Sequence, residues 1–283
     1  MIEVYVASAF SKDGAGGNKA GVVIGRPELT DEQKRHIAAE LGYSETAYVT
    51  DSDKADFKLE YFTPTEEVPL CGHATIATFF VLNHLGMLQK ADYTIETKSG
   101  ILKIRAGEDG TIFMEQNLPM YPHTLEVQAF GDFLEERYIP ADLTAQVVST
   151  GLKDVILPID SPEHLRELEP DFPAMADFSR ERDVIGVHAF TLVDDQEITA
   201  LCRNFAPLYG IDEESATGTA NCALASFLFR YHEKKERYVF EQGHNLNAVS
   251  RIVVNIKYHD DMIDAVFVGG HGYIVSKKEL DLS

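Results

Sequence analysis

A chain of 283 residues, 45% apolar and 25% charged, has the composition of a globular protein large enough for two medium domains, which excludes a disordered or fibrous chain. Its net charge of -21 at pH 7 repels phosphate backbones and anionic lipid, so neither nucleic acid nor a membrane surface is an expected partner. The longest apolar run, 76–82, falls short of the roughly 20 residues a bilayer needs, and Met1-Ile2-Glu3 lacks the basic start of a secretory leader; a cytoplasmic location is expected.

Runs rich in Val, Ile, Tyr, Phe and Thr predict strands at 2–10, 20–25, 44–50, 56–62, 92–97, 100–106 and 110–117. The second half repeats them at 145–149, 153–159, 185–193, 198–206, 236–242, 250–258 and 262–268, with a last strand at 272–277. Thr30 as a cap, Gln33 completing a capping box and Gly42 as a stop predict a helix over 31–41. Two Ala-rich segments, 72–85 and 218–231, are apolar around nearly their whole circumference and are predicted to be buried helices. Weaker helical patterns lie near 126–137, 162–168 and 175–182, and Pro119 to Thr124 reads as a connector between halves. So many strands with so few helices argue against an alternating parallel sheet.

The two buried helices look related. Gly72, Ala74 and Ala77 in Cys71-Gly72-His73-Ala74-Thr75-Ile76-Ala77 match Gly218, Ala220 and Ala223 in Thr217-Gly218-Thr219-Ala220-Asn221-Cys222-Ala223, at an offset of half the chain. Each segment follows a pair of acids, Glu66-Glu67 or Glu213-Glu214, which points to an internal duplication. The three cysteines, Cys71, Cys202 and Cys222, are far apart and odd in number, the pattern of reduced thiols. The glycine-rich Gly14 to Gly21 fits neither G-x-G-x-x-G nor the P-loop pattern and precedes a strand, so it is read as a loop. The histidines and cysteines form no H-E-x-x-H or C-x-x-C set, and no metal or cofactor is expected.

Three blocks of sequence are specific in combination. Glu67-Val68-Pro69-Leu70-Cys71-Gly72-His73-Ala74-Thr75 resembles the E-V-x-L-C-G-H-A-T signature of the PhzF family, the phenazine biosynthesis-like proteins. Ser44-Glu45-Thr46-Ala47-Tyr48-Val49 resembles its S-E-T-x-F-V segment. Arg203-Asn204-Phe205-Ala206-Pro207, followed by Gly210 to Ala220, resembles R-x-F-x-P…G-x-x-E-D-P-x-T-G-S-A, and the blocks keep family order from Ala9 to Gly270. The resemblance implies an α+β fold of the diaminopimelate epimerase type: two similar lobes, each a mostly antiparallel β-barrel around a central helix. The first lobe is expected over 1–118, with 270–283 returning to it, and the second over 119–269. It further implies a homodimer and an active site between lobes that binds a small anionic metabolite at the two helix N-termini.

On that resemblance Glu45 is the proton-transferring acid/base of a cofactor-independent isomerase. His73 and Glu214 join it as catalytic candidates, with Glu214 orienting His73 or a substrate amine. Gly72, Gly218, Thr219 and Asn18 are the expected substrate-binding residues. Free amides at a helix N-terminus suit a carboxylate, and glycine lets a ligand approach the backbone. The plainer readings stay open: Glu45 as a solvated strand head, His73 as a polar wall, both glycines as packing residues and Cys71 as a small buried side chain. Glu214 and Thr219 stand where the family usually has Asp and Ser, Ser215 and Lys19 replace prolines, and Asn247-Ala248-Val249-Ser250 replaces G-R-P-S. These departures put the family's best-known substrate, a dihydro-hydroxyanthranilate, in doubt. Thr217 occupies the place of the second epimerase cysteine, and its hydroxyl is too weak an acid for two-thiol racemisation. Hydrolysis or lysis of a small acid, and a non-catalytic binding role, remain as alternatives.

Overall fold

The computed structural model describes residues 1–26, 28–140 and 144–281, and the chain divides into two units, 1–115 with 269–283 and 116–268. Residues 282 and 283 of the expected returning tail lie outside the described residues.

In the first unit β1 (Ile2–Ser11) turns back into β2 (Asn18–Ile24), and α1 (Asp31–Leu41) crosses to β3 (Thr46–Thr50). There follow β4 (Phe57–Phe62), the short β5 (Glu67–Val68), α2 (Gly72–His84), β6 (Asp92–Thr97), β7 (Gly100–Ala106) and β8 (Ile112–Gln116). Antiparallel pairs join β1 to β2, β3 to β4, β6 to β7 and β7 to β8; the crossovers make β2/β3 and β4/β6 parallel. The last strand, β17 (Met262–Leu280), returns antiparallel to β1, with Ile2 opposite Leu280, and its Gly269 lies against Ile112 of β8, which closes the ring.

Inside this ring sits α2, buried from His73 through Phe79 and again at Val81 and Leu82. Beyond His73 at its start, the polar side chains in that span are satisfied locally: Thr75 and Thr78 donate to the carbonyls of Cys71 and Ala74, one turn back. Outside the ring α1 lays Ile37, Ala38 and Leu41 on Val4, Val6, Tyr48 and Phe62. The period of two in β1 sends Val4 and Val6 outward and the fully buried Ala7 and Ala9 to the α2 side, where small side chains let the helix approach the sheet. Thr30 and Gln33 form the predicted capping box, and Gly42 ends the helix at φ 71°.

The second unit repeats this wiring. It contains β9 (Thr124–Leu125), β10 (Ala145–Ser149), β11 (Lys153–Pro158), α3 (Pro162–Glu167), α4 (Phe172–Arg182), β12 (Gly186–Leu192), β13 (Ala200–Ala206), β14 (Ile211–Glu214), α5 (Gly218–Tyr231), β15 (Arg237–Gln242) and β16 (Ser250–His259). The parallel pairs are again those bridged by a crossover, β11/β12 and β13/β15, while β10/β11, β12/β13 and β15/β16 are antiparallel. Each central helix follows a short strand in the same place, so the duplication read in seven residues extends to the pairing scheme. Alternate residues Val147, Val155, Leu157, Val187 and Phe205 face α3 and α4, and the opposite face turns to α5, where Tyr231 donates to Gln146. Two lobes, each a mostly antiparallel barrel around a helix, are the architecture expected.

Three local expectations are corrected. The helix near 126–137 is two 3-10 turns, Val127–Phe130 and Glu136–Tyr138. Phe130, Phe133, Leu134, Tyr138 and Ile139 all enter the outer core. The helix expected at 175–182 begins three residues earlier, because Asp171 caps it through the Ala174 amide. The strands predicted at 262–268 and 272–277 are one strand: the glycines between them are close-approach points, not a turn. A Cβ at Gly269 would lie 2.1 Å from the Ile112 carbonyl oxygen, and one at Gly272 would lie 2.6 Å from that of Ser8 and 2.5 Å from the Phe80 ring. Gly272→Ala is therefore expected to lower unfolding free energy by about 1–3 kcal/mol, the scale of overpacking, as measured by denaturant titration.

Candidate functional site

The backbone positions the first-unit candidates. Because β2 and β3 run parallel with Gly21 opposite Thr46, Asn18 at the head of β2 and Glu45 just before β3 share one end of the pair. The Gly21 amide donates to the Glu45 carbonyl and pins that end. Gly72 and His73 form the first turn of α2, whose N-cap residue, Cys71, makes no side-chain capping bond. The first-turn amides therefore receive nothing from their own cap, and the helix dipole favours an anion there.

Three side chains converge at this point. His73 Nε2 lies 3.3 Å from Glu45 Oε2, with the two side chains 7% and 19% exposed. The alignment misses that of a hydrogen bond, and Glu45 Oε2, itself sealed from solvent, accepts none among the described residues. Cys71 Sγ lies 3.4 Å from His73 Nδ1 and 3.9 Å from Nε2. The sequence places Cys71 where the epimerase-type proteins carry their first cysteine and reads it as a small buried residue; its spacing from His73 is visible there, but its direction across the helix start is not. Beneath them Tyr61 and Thr75 share a 2.6 Å hydrogen bond, and burial pushes the Tyr61 phenol far above its ordinary range.

The second unit carries a different polar group around the start of α5. Thr217, the N-cap residue, donates from its hydroxyl to the Glu214 carboxylate and makes no side-chain capping bond with the first-turn amides of α5. Gln242 on β15 ties the segment together: its Nε2 donates to the Glu214 carbonyl at 2.7 Å and to the Thr217 hydroxyl at 3.1 Å, and its Oε1 accepts from the Thr217 amide and the Asn221 side chain. Gly218 is buried and Thr219 half-buried, with the Thr219 carbonyl accepting from Thr150. Glu213 and Glu214 part company. Glu213 takes a bidentate pair from the buried Arg203 at 3.0 and 2.8 Å, and the same guanidinium donates to the carbonyls of Leu165 and Leu168. That pair ties α3 to β13 and β14. A signal for it existed, since an Arg inside an apolar strand needs a buried acceptor; nothing in the sequence marks Gln242.

Behind this group lie two buried titratable residues that sequence reasoning missed. Asp154 on β11 is 1% exposed, and burial, then the charge of Glu214, pushes its carboxyl up to about 7. His188 on β12 shares a 3.0 Å hydrogen bond with Asn204, and burial pulls its imidazole down to about 4. The sign for Asp154 follows from the carboxyl binding its proton more tightly in the folded chain. Its contribution is full below the ordinary 3.8 and is lost as pH rises through about 7. Wild-type melting temperature should therefore fall across that window, and Asp154→Asn should flatten the fall; parallel slopes in a pH series of thermal melts would contradict it.

A barrel-enclosed helix repeated in two units, with a carboxylate, an imidazole and a thiol at one helix start, defines an enzyme of the epimerase-like fold class. The family described as phenazine biosynthesis-like protein, PhzC-PhzF, matches residues 7–278. An uncharacterized isomerase of Deinococcus radiodurans is 34% identical over 95% of this chain and 92% of its own length, and one of Bacillus subtilis is 32% identical over 90% of each. The crystal structure of a PhzF-family phenazine biosynthesis protein from Bacillus anthracis superposes with a TM-score of 0.90 at 28% identity, covering 99% of both chains. A hydroxyproline epimerase of Agrobacterium vitis shares the fold at a TM-score of 0.66 and 13% identity, covering 99% of this chain and 90% of its own. The chain belongs to the PhzC-PhzF family of phenazine biosynthesis-like proteins, and within it to the isomerases. No helix among the described residues is long and apolar enough to cross a membrane.

Proposed function

We propose that the chain isomerises a small unsaturated or α-acidic carboxylate by moving one proton, with Glu45 as the acid/base. The observation that carries this reading is the Glu45 Oε2 atom, buried, without a hydrogen bond among the described residues and 3.3 Å from the imidazole of His73. A carboxylate oxygen kept from water and from donors has a lone pair to offer a carbon acid, and its neighbour can steady it in either protonation state.

Glu45 takes the proton as the C–H bond breaks, and the electron pair left behind delocalises into the conjugated carboxylate. Glu45 then returns the proton at a second carbon, so mass is unchanged and nothing is oxidised. Uncapped amides at Gly72 and His73 would bind the carboxylate and take up its developing charge, with Asn18 beside them. In the second unit the candidates for contact with a small anion are Glu214, held by Thr217, and the amides of Gly218 and Thr219.

Glu45→Gln keeps size and hydrogen bonding but cannot carry a proton. In a mass-spectrometric screen of small carboxylic acids in deuterated water, the wild type is expected to yield an isomer whose skeleton mass is unchanged, and the variant to turn over at least about 10²-fold more slowly. Near-normal turnover by the variant would sink the mechanism. One observation favours a second reading, hydrolysis: Cys71, His73 and Glu45 stand in the order of a thiol, its base and the base's orienting acid. Products whose summed mass exceeds the substrate by one water, and which are lost in Cys71→Ser, would select it.

A further inference from the structure

We propose that Glu45, Cys71 and His73 form a binding site for a borderline-soft divalent cation such as zinc. One carboxylate oxygen, one sulfur and one imidazole nitrogen lie within 4.8 Å of one another. They are of three chemistries, and thiolate, imidazole and carboxylate together are the set from which zinc takes its ligands. A tetrahedral zinc ion holds nitrogen and oxygen at about 2.0–2.2 Å and sulfur at about 2.3 Å, which places its ligand atoms roughly 3.3–3.7 Å apart. The His73 Nε2 to Glu45 Oε2 separation is 3.3 Å and the Cys71 Sγ to His73 Nε2 separation is 3.9 Å.

Two further observations point to a ligand. Cys71 and His73 are 8% and 7% exposed, so the ligands are already withdrawn from bulk water. Glu45 Oε2, sealed and accepting no hydrogen bond among the described residues, has acceptor capacity left unused. The backbone around the ligands is fixed, since both the amide and the hydroxyl of Thr75 donate to the Cys71 carbonyl. The dipole at the start of α2 opposes the cation itself but favours the two anionic ligands, thiolate and carboxylate, whose charges match a divalent ion. Three protein ligands leave a fourth position open, as in sites where the ion exchanges. If the proposed role of Glu45 is correct, an ion there occupies the lone pairs that move the proton and acts as a reversible inhibitor.

Cobalt(II) is the probe, because a thiolate bound to it gives a near-ultraviolet charge-transfer band that an oxygen-only site does not. Titration of the reduced full chain should give that band at one equivalent, with zinc displacing it. The band should be absent in Cys71→Ser, and the apparent affinity should fall at least about tenfold in His73→Gln and in Glu45→Gln. Affinity should also weaken as pH falls, because the thiol and imidazole must shed protons to bind. Cys202 and Cys222 are fully buried in the other unit, so a band that survives in folded Cys71→Ser overturns the site. No band in the wild type at excess cobalt overturns it too. If Cys71→Ser does not fold, unchanged affinity in both other variants does so in its place. Failure of the acid/base reading is separate: Glu45→Gln would then turn over normally while still losing cobalt.

Discussion

Enclosure of a helix with no polar face governs the rest of this structure. From His73 to Leu82 nearly every side chain of α2 is buried, and α5 repeats the condition from Ala220 to Phe229. A flat sheet covers one stripe of a helix, so such a helix is stable only when strands surround it. In the first unit the ring from β17 through β1 and round to β8 does this, and alanines at 7 and 9 let it close tightly. The sealed sides leave the helix start as the place where its first amides can meet anything but protein. The candidate site therefore lies at the end of the helix because burial has used up its sides.

The second unit shows what the same constraint costs when polar groups are enclosed with the helix. Asp154, His188, Asn204, Asn221 and Gln242 are all nearly inaccessible. Gln242 and Asn221 meet the cost with hydrogen bonds to Thr217 and to each other. Asp154 and His188 meet it by giving up charge, the carboxyl upward and the imidazole downward. A core of this kind is held by specific partners rather than by volume alone, and it fixes the segment from Glu214 to Gly218 more tightly than apolar packing would. Arg203 and Glu213 do the same for the outer layer, where one guanidinium satisfies a carboxylate and two backbone carbonyls.

Much of the fold was legible. The capping box at Thr30 and Gln33, the stop at Gly42 and the two apolar helices are local signals, set within a few residues by backbone donors and side-chain period. Readings failed where distant partners decide. The segment 126–137 has helical composition but forms two short 3-10 turns that lay Phe130, Phe133 and Leu134 in an outer core with α4 and the sheet. Gly269 and Gly272 look like turn residues, yet they sit inside β17 because a neighbouring strand and the Phe80 ring come too close for a side chain.

By itself the sequence determined the strand-rich class, the two enclosed helices, their duplication and the motifs that tie the chain to its family. These depend on period, capping and residue order, which are properties of neighbours along the chain. Only the tertiary structure decided that Glu45, 26 positions before Cys71, brings a bare carboxylate oxygen to the imidazole of His73 while the thiol of Cys71 meets the same ring. Only it decided that Gln242 rather than a helix cap holds Thr217, and that Asp154 lies deep enough to keep its proton near neutrality. Those outcomes depend on which strands pair and how closely a helix is wrapped, and burial and distance across a fold have no local signature in the chain.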